Sequence, residues 1–139
     1  MSRSFTVESE KGLLTSLATP CHITPAFHPG KSLPKCPRIE FNAMWDSGAT
    51  KTVITPKVIE ALGLQPLRRV GPILLQGVDR VEQSAAYEIN LSLPSKITIH
   101  ELTVVSKNPG RMVWWDVLIG MDVISQGDFS VTNRNGKTE

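Results

Sequence analysis

The chain has 139 residues, 40% hydrophobic and 20% charged, which fits one soluble domain with its own core over residues 1–139. Its 15 basic and 13 acidic side chains leave a net charge of +2, which favours neither a nucleic acid nor an anionic membrane as a partner. No stretch has the apolar run of a signal peptide or of a membrane-spanning helix, so we expect a cytoplasmic protein.

Prolines are concentrated near the start of the sequence. Half of the ten prolines lie within residues 20–37, which predicts a surface loop, because proline lacks an N–H donor and opposes helix interiors and central strands. Cysteine and histidine occur in the same stretch, at Cys21, His22, His28 and Cys36. Their spacing matches no paired metal-ligand pattern, so we interpret them as solvated loop residues with reduced thiols and expect neither a zinc site nor a disulfide.

Apolar and polar residues alternate after the proline-rich stretch. The alternation predicts a strand whose buried face carries Ile39, Phe41, Ala43 and Trp45. This strand would deliver the chain directly to Asp46. Thr55 as N-cap, Pro56 at the first helical position and Gly63 as the stop then predict one short helix.

The second half of the sequence predicts mainly short strands. The clearest strand carries Tyr87, Ile89, Leu91 and Leu93 on one face and closes at Pro94. The apolar phase then shifts between Ile99 and Leu102, as it would across a β-bulge. The remaining predictions are a strand at Val113–Ile119, a turn of helix at residues 120–124 and a last short strand at Phe129 and Val131. These elements indicate an all-β barrel or sandwich with one or two small helices.

The tripeptide Asp46-Ser47-Gly48 places a carboxylate at the end of an apolar strand. Burying an unpaired carboxylate is costly, so the protein must compensate it. The Ser47 hydroxyl and the close backbone approach that Gly48 permits are the local donors. Taken alone, however, the tripeptide is more typical of an ordinary turn.

Two longer blocks change this interpretation. Asn42–Ile54, containing Asp46-Ser47-Gly48-Ala49, and Asp116–Asp122, containing Leu118-Ile119-Gly120, together resemble the signature blocks of retropepsin-like aspartic peptidases, most closely the retrotransposon and bacterial members. The resemblance covers residue 38 to the C-terminus. It implies a single-lobe, closed acid-protease-type barrel of six or more strands.

The resemblance also implies roles for individual residues. Asp46 would be catalytic, and Ser47, Gly48 and Ala49 would support it without a metal or any other cofactor. In the second block, Gly120 would let two backbone segments approach closely. Leu118 and Ile119 would pack around the active site and contribute to substrate binding.

Substrate contacts are further implied for a hairpin flap at Gln76, Gly77 and Val78, and for Thr50. Many viral relatives pair an acidic residue after the catalytic block with an arginine in the second block. Here Thr50 and Met121 occupy the corresponding positions. Viral specificity is therefore a poor guide to the substrate of this chain.

The chain contains a single Asp-Ser-Gly, whereas hydrolysis by this mechanism needs two carboxylates that share a proton. A homodimer with one Asp46 from each subunit would supply them, with the peptide or protein substrate bound as an extended strand. Two alternatives remain: a non-catalytic dimerisation or peptide-binding module on the same fold, and a small metal-binding domain built on the cysteines and histidines of the proline-rich stretch.

Overall fold

The structure is a computed structural model that describes residues 2–27, 38–67, 85–109 and 113–139. Its strands are β1 (Leu17–Pro25), β2 (Ile39–Trp45), β3 (Val53–Ile54), β4 (Ala86–Leu93), β5 (Ile97–Ser106) and β6 (Val117–Ile119). Its helices are α1 (Pro56–Leu62) and α2 (Met121–Ile124), with short 3-10 turns at Pro94–Lys96 and Arg134–Gly136. Within the described ranges, no helix is long and apolar enough to span a membrane.

The six strands close into a barrel in the order β1-β2-β6-β3-β5-β4. Strands β2 and β6 are parallel, as are β3 and β5, and the other neighbours are antiparallel. Closure pairs strands that would otherwise form sheet edges. The predicted all-β, closed barrel with short helices is therefore confirmed.

The barrel interior is filled by side chains that alternate along the strands, as the period of a strand requires. In β2, Phe41 and Ala43 are buried, whereas Glu40 and Asn42 are exposed, which confirms the predicted face. The core also contains the apolar residues of the other strands, among them Ile23, Ile89, Leu91, Val104 and Ile119.

Helix α1 begins and ends where the sequence predicts. Pro56 occupies its first turn, where the missing N–H would have no helical partner. Val58 and Leu62 are buried in the core. Gly63 ends the helix at a φ of 61°, in the left-handed region that glycine adopts without a steric penalty.

The predicted proline-rich surface loop is wrong for residues 20–25, because strand β1 extends to Pro25. Pro20 pairs with β2, while the pairing of β1 with β4 begins only at His22. Pro20 therefore lies where β1 has one neighbour, and its missing N–H can face the unpaired side. Cys21 is a free thiol buried in the core rather than a solvated residue. His28 and Cys36 lie outside the described residues.

The predicted bulge lies between β4 and β5. Ile89 pairs with Leu102 and Leu91 pairs with Ile99, so Asn90 faces two residues of β5. Asn90 is only 2% exposed, and its Oδ1 accepts the N–H of Glu101 at 2.9 Å. The alternation of β4 had predicted a polar outer face at Asn90. The side chain is buried instead because it satisfies the backbone that the bulge leaves unpaired.

The C-terminal segment differs from the prediction. In the described part of the chain, the expected strand at Phe129 and Val131 is absent, and the strand expected at Val113–Ile119 is shortened to β6. The C-terminus instead pairs with the N-terminal segment. The Ser9 N–H donates to the carbonyl of Thr138 at 2.8 Å, and the Thr138 N–H donates to the carbonyl of Gly12 at 3.2 Å.

Candidate active site

Asp46 lies one residue beyond the end of β2. Its N–H donates to the carbonyl of Ile119 at 2.9 Å, which continues the parallel β2–β6 ladder by one residue. Its carbonyl accepts the N–H of Ala49 at 3.2 Å, so the chain turns immediately after Asp46. The strand and the turn together fix the backbone from which the carboxylate projects.

The Asp46 side chain is half-buried, less than its position after an apolar strand had suggested. Its Oδ1 accepts the backbone N–H of Gly48 at 2.8 Å. A Cβ atom on Gly48 would lie 3.2 Å from that oxygen, so glycine lets the amide approach without crowding the carboxylate. The backbone of Gly48 is thus a donor that compensates the charge of Asp46.

Beneath this loop, Thr52 and Asp122 form a hydrogen-bonded network. Thr52 is fully buried, and Asp122 accepts its N–H at 2.9 Å and its hydroxyl at 2.7 Å. The Thr52 hydroxyl oxygen in turn accepts the N–H of Gly120 at 3.2 Å. The network connects the two sequence blocks. Sequence reasoning did not assign it, although Asp122 stands in the second block.

Gly120 lies where two backbone segments approach closely. A Cβ atom there would lie 2.8 Å from the carbonyl oxygens of Ala49 and Lys51. The next amide, of Met121, donates to the Ala49 carbonyl at 2.7 Å. Any side chain at position 120 would therefore push against the backbone that follows Asp46.

Asp116 is a second carboxylate that sequence reasoning did not single out. It is 7% exposed and lies just before β6. Its Oδ2 accepts the N–H of Asn42 at 2.9 Å, and its Oδ1 is 3.0 Å from the Nζ of Lys57. The predicted strands indicate neither contact, because both contacts depend on where the side chains lie in the closed barrel.

The other predicted site residues are distributed around the loop. Ser47 and Thr50 are exposed, and Ala49 is half-buried. In β6, Leu118 is half-buried and Ile119 is fully buried; they pair with Met44 and Trp45 of β2. The proposed flap residues Gln76, Gly77 and Val78 lie outside the described residues.

An aromatic cluster supports the end of β2. The ring of Trp45 stacks on Phe129 at a centroid distance of 5.5 Å and contacts Phe5 at 6.3 Å. Its Nε1 donates to the hydroxyl of Thr19 at 2.9 Å. A cavity of about 470 Å³ lies beside this cluster, lined by Trp45 and by the two terminal segments, but not by Asp46.

The described residues offer an acid–base group at Asp46. Within them, no group of three or more His, Cys, Asp or Glu side chains could hold a metal ion. Asp46 is solvent-accessible, and a carboxylate has more acceptor positions than the amide of Gly48 fills. It can therefore accept a proton or orient a water.

One protein family matches most of the chain. A family model described as "gag-polyprotein putative aspartyl protease" matches residues 38–126, more than half of the chain. No curated protein sequence matches the chain.

Solved structures resemble this chain at low sequence identity. The EIAV protease complexed with the inhibitor HBY-793 is 15% identical, with a TM-score of 0.57 over 82% of this chain and 89% of that one. The retroviral protease-like domain of Ddi1 from Leishmania major is 17% identical, with a TM-score of 0.50 over 91% of this chain and 94% of that one. A retropepsin-like aspartic protease from Rickettsia conorii is 12% identical, with a TM-score of 0.46 over 91% of this chain and 93% of that one.

Proposed function

This chain belongs to the gag-polyprotein aspartyl protease family, and we propose that it is an aspartic endopeptidase whose active site takes one Asp46 from each of two identical subunits. The observation that carries the proposal is the placement of Asp46. Its backbone is fixed by β6, while its carboxylate is half-buried and hydrogen-bonded to the Gly48 amide. This combines a rigid position with access for substrate.

The mechanism needs two carboxylates close enough to share one proton. The ionised carboxylate would take a proton from a water, which attacks the peptide carbonyl. The protonated carboxylate would donate its proton to the carbonyl oxygen, which gives a tetrahedral diol. The peptide C–N bond of the diol would then break as the newly protonated carboxylate donates its proton to the leaving amine nitrogen. The other carboxylate would take a proton from a hydroxyl of the diol, so that the pair again holds one proton. Activity should therefore be highest in the acidic range, where the pair holds one proton. The residues described require no metal or organic cofactor for these steps.

A two-fold axis beside Asp46 would bring the two carboxylates together. An isologous interface places a residue near the axis against its own copy, and the sequence has one Asp-Ser-Gly per chain. Ser47, which is exposed beside Asp46, would hydrogen-bond across the axis. The substrate would lie as an extended strand between this floor and flaps formed around Gly77.

The decisive experiment compares Asp46→Asn with the wild type. The substitution keeps the size of the side chain and removes the proton-transfer group, so we expect cleavage of a mixed peptide library to fall about 1,000-fold or more. Cleavage would be measured between about pH 4 and pH 7. Asp128→Asn is the matched control, because Asp128 is an exposed aspartate outside the loop.

Cleavage retained by Asp46→Asn would overturn the aspartic mechanism. If the wild type is folded and dimeric but cuts no peptide, the proposal gives way to the binding module on the same fold.

Mixing subunits tests the shared site. If chains exchange freely, an equal mixture of wild type and Asp46→Asn should lose about half of its activity per wild-type chain, because half of the wild-type chains then sit in mixed dimers. Sedimentation of each protein alone supplies the control for dimer formation. Activity per wild-type chain that stays constant while the subunits exchange would contradict a site built from both chains.

A further inference from the structure

Asp116 contacts β2, the strand that ends one residue before Asp46. We propose that Asp116, together with Lys57, is a positioning residue that holds β2 and β6 in the register needed at Asp46. The inference rests on the proposed peptidase function for its kinetic consequence, whereas its structural consequence can be measured without activity.

The first contact is with β2. The Asn42 N–H donates to Oδ2 of Asp116 at 2.9 Å, and the Asp116 N–H donates to the Asn42 carbonyl at 2.8 Å. Asn42 lies in the same strand as the residues that lead directly to Asp46. Asp116 therefore joins the start of β6 to β2 through both its side chain and its backbone.

The second contact is with the start of α1. The Asp116 carbonyl accepts the N–H of Thr55 at 3.2 Å and the Thr55 hydroxyl at 3.0 Å. Oδ1 of Asp116 pairs with the Nζ of Lys57 at 3.0 Å. One residue thus ties together three segments: β2, the start of β6 and the N-terminus of α1.

The position of Lys57 supports a specific role for this pair. A cation in the first turn of a helix opposes the helix dipole, and the first turn of α1 contains no acidic residue. The side chain of Lys57 is 70% exposed, so its ion pair contributes little to overall stability. The Asp116 side chain is only 9% exposed, so Lys57 compensates a charge that would otherwise be buried alone.

The consequence for the active site follows from the parallel pairing. Ala43 pairs with Val117 and Trp45 pairs with Ile119, and the Asp46 N–H then donates to the Ile119 carbonyl. If Asp116 no longer holds the start of this ladder, β6 can shift against β2, and the shift reaches Asp46 directly. A displacement of about 1 Å at a reacting group can cost about 100-fold in rate.

The test compares Asp116→Ala and Asp116→Asn in the full-length dimer. We expect Asp116→Ala to lower kcat about 100-fold with KM unchanged within about twofold, because substrate contacts remain while the reacting group moves. Asp116→Asn keeps an oxygen that can accept the Asn42 N–H, and should recover at least about tenfold of the lost kcat. Lys57→Met should lower kcat less than Asp116→Ala does.

Two controls separate positioning from general destabilisation. Asn42→Ala keeps the backbone groups that contact Asp116. Lys107→Met removes an exposed lysine side chain and keeps the backbone N–H that donates to the carbonyl of Ile54. Both should retain wild-type kcat. A folded Asp116→Ala variant whose kcat and KM both match the controls would overturn the inference.

Hydrogen exchange provides a readout that needs no activity. The Asp46 and Gly48 amides should exchange faster in Asp116→Ala than in the wild type, whereas amides of β4 should be unchanged. If the wild type is inert, the peptidase proposal fails, but faster exchange at Asp46 still supports the positioning role of Asp116. Unchanged exchange at Asp46 in the folded variant overturns that role. If Asp116→Ala does not fold, Asp116→Asn is measured instead; it loses the charge that pairs with Lys57 and should show faster exchange at Asp46 to a smaller extent.

Discussion

The carboxylate in the loop that follows β2 and the carboxylate in the Thr52–Asp122 network differ in the number of hydrogen bonds that they accept. Within the described residues, the Asp46 carboxylate accepts one hydrogen bond, from the amide of Gly48. The Asp122 carboxylate accepts three, two from Thr52 and one from the amide of Val123. The two regions are directly connected, because Gly120 donates to the hydroxyl of Thr52 and packs against the backbone that follows Asp46.

The difference separates a reactive aspartate from a structural one. A carboxylate whose acceptor positions are mostly taken by internal donors has little room to bind a water. Asp122 accepts three such hydrogen bonds, whereas among the described residues Asp46 accepts one. Asp122 is therefore held by the fold that it supports, whereas Asp46, where the chemistry is proposed, has acceptor positions for a water or a substrate.

Among the substitutions that test this comparison, Gly120→Ala should lower the free energy of unfolding the most. A methyl group there would lie 2.8 Å from backbone atoms of Ala49 and Lys51, which cannot move like a flexible side chain. We expect the free energy of unfolding to fall by about 3 kcal/mol, measured by urea denaturation. Gly127→Ala is the matched control, since its added methyl group meets no atom within 4 Å. Equal stability of the two variants would show that the two segments are not locked together.

Truncating the two aspartates compares the regions directly. Asp122→Ala leaves the N–H and hydroxyl of the buried Thr52 without their acceptor, so we expect a loss of about 2 kcal/mol. Asp46→Ala removes a half-buried side chain with one internal donor and should cost less than about 0.5 kcal/mol. Chemical denaturation of both variants gives the difference. A larger loss for Asp46→Ala would reverse the assignment of structural and reactive groups.

The sequence predicted the elements that depend on local patterns. The alternation of β2 and β4, the phase shift into β5 and the stop of α1 at Gly63 are local signals, and the structure contains each of them. These predictions required only neighbouring residues. Asp46 is different, because Asp46-Ser47-Gly48 alone is typical of a turn, and its catalytic assignment also required the resemblance of the second block, Asp116–Asp122.

The parts that sequence reasoning missed depend on contacts between distant segments. Proline content predicted a loop at residues 20–25, but pairing on one side of Pro20 allows a strand. The contact between Thr52 and Asp122 joins residues far apart in sequence, and so does the contact between Asn42 and Asp116. The local alternation of apolar and polar residues carries no information about such contacts. An aspartate inside an apolar block is the one signal that could have found Asp116 and Asp122, since a buried carboxylate must have a partner.

Cys21 extends the comparison to an ionisable group that is buried inside the barrel. Its ionisation should have the smallest of these effects on the free energy of unfolding. Burial raises the pKa of the Cys21 thiol from 9.0 to about 12, with smaller contributions from the negative charges of Asp116 and Glu40. Above pH 9 the unfolded chain loses this proton while the folded chain keeps it, so the contribution to stability is complete below pH 9 and declines as the pH rises toward 12.

Cys21→Ala measures that contribution, because alanine has no proton to lose and its cavity is the same at every pH. The stability difference between wild type and Cys21→Ala should shrink by about 1 kcal/mol between pH 7 and about pH 9.5, with any other titrating group cancelling between the two proteins. A difference that stays constant over this range would mean that the thiol ionises as readily in the barrel as in the unfolded chain. Burial in the barrel would then not hold Cys21 inert, and the contrast with the accessible Asp46 carboxylate would be lost.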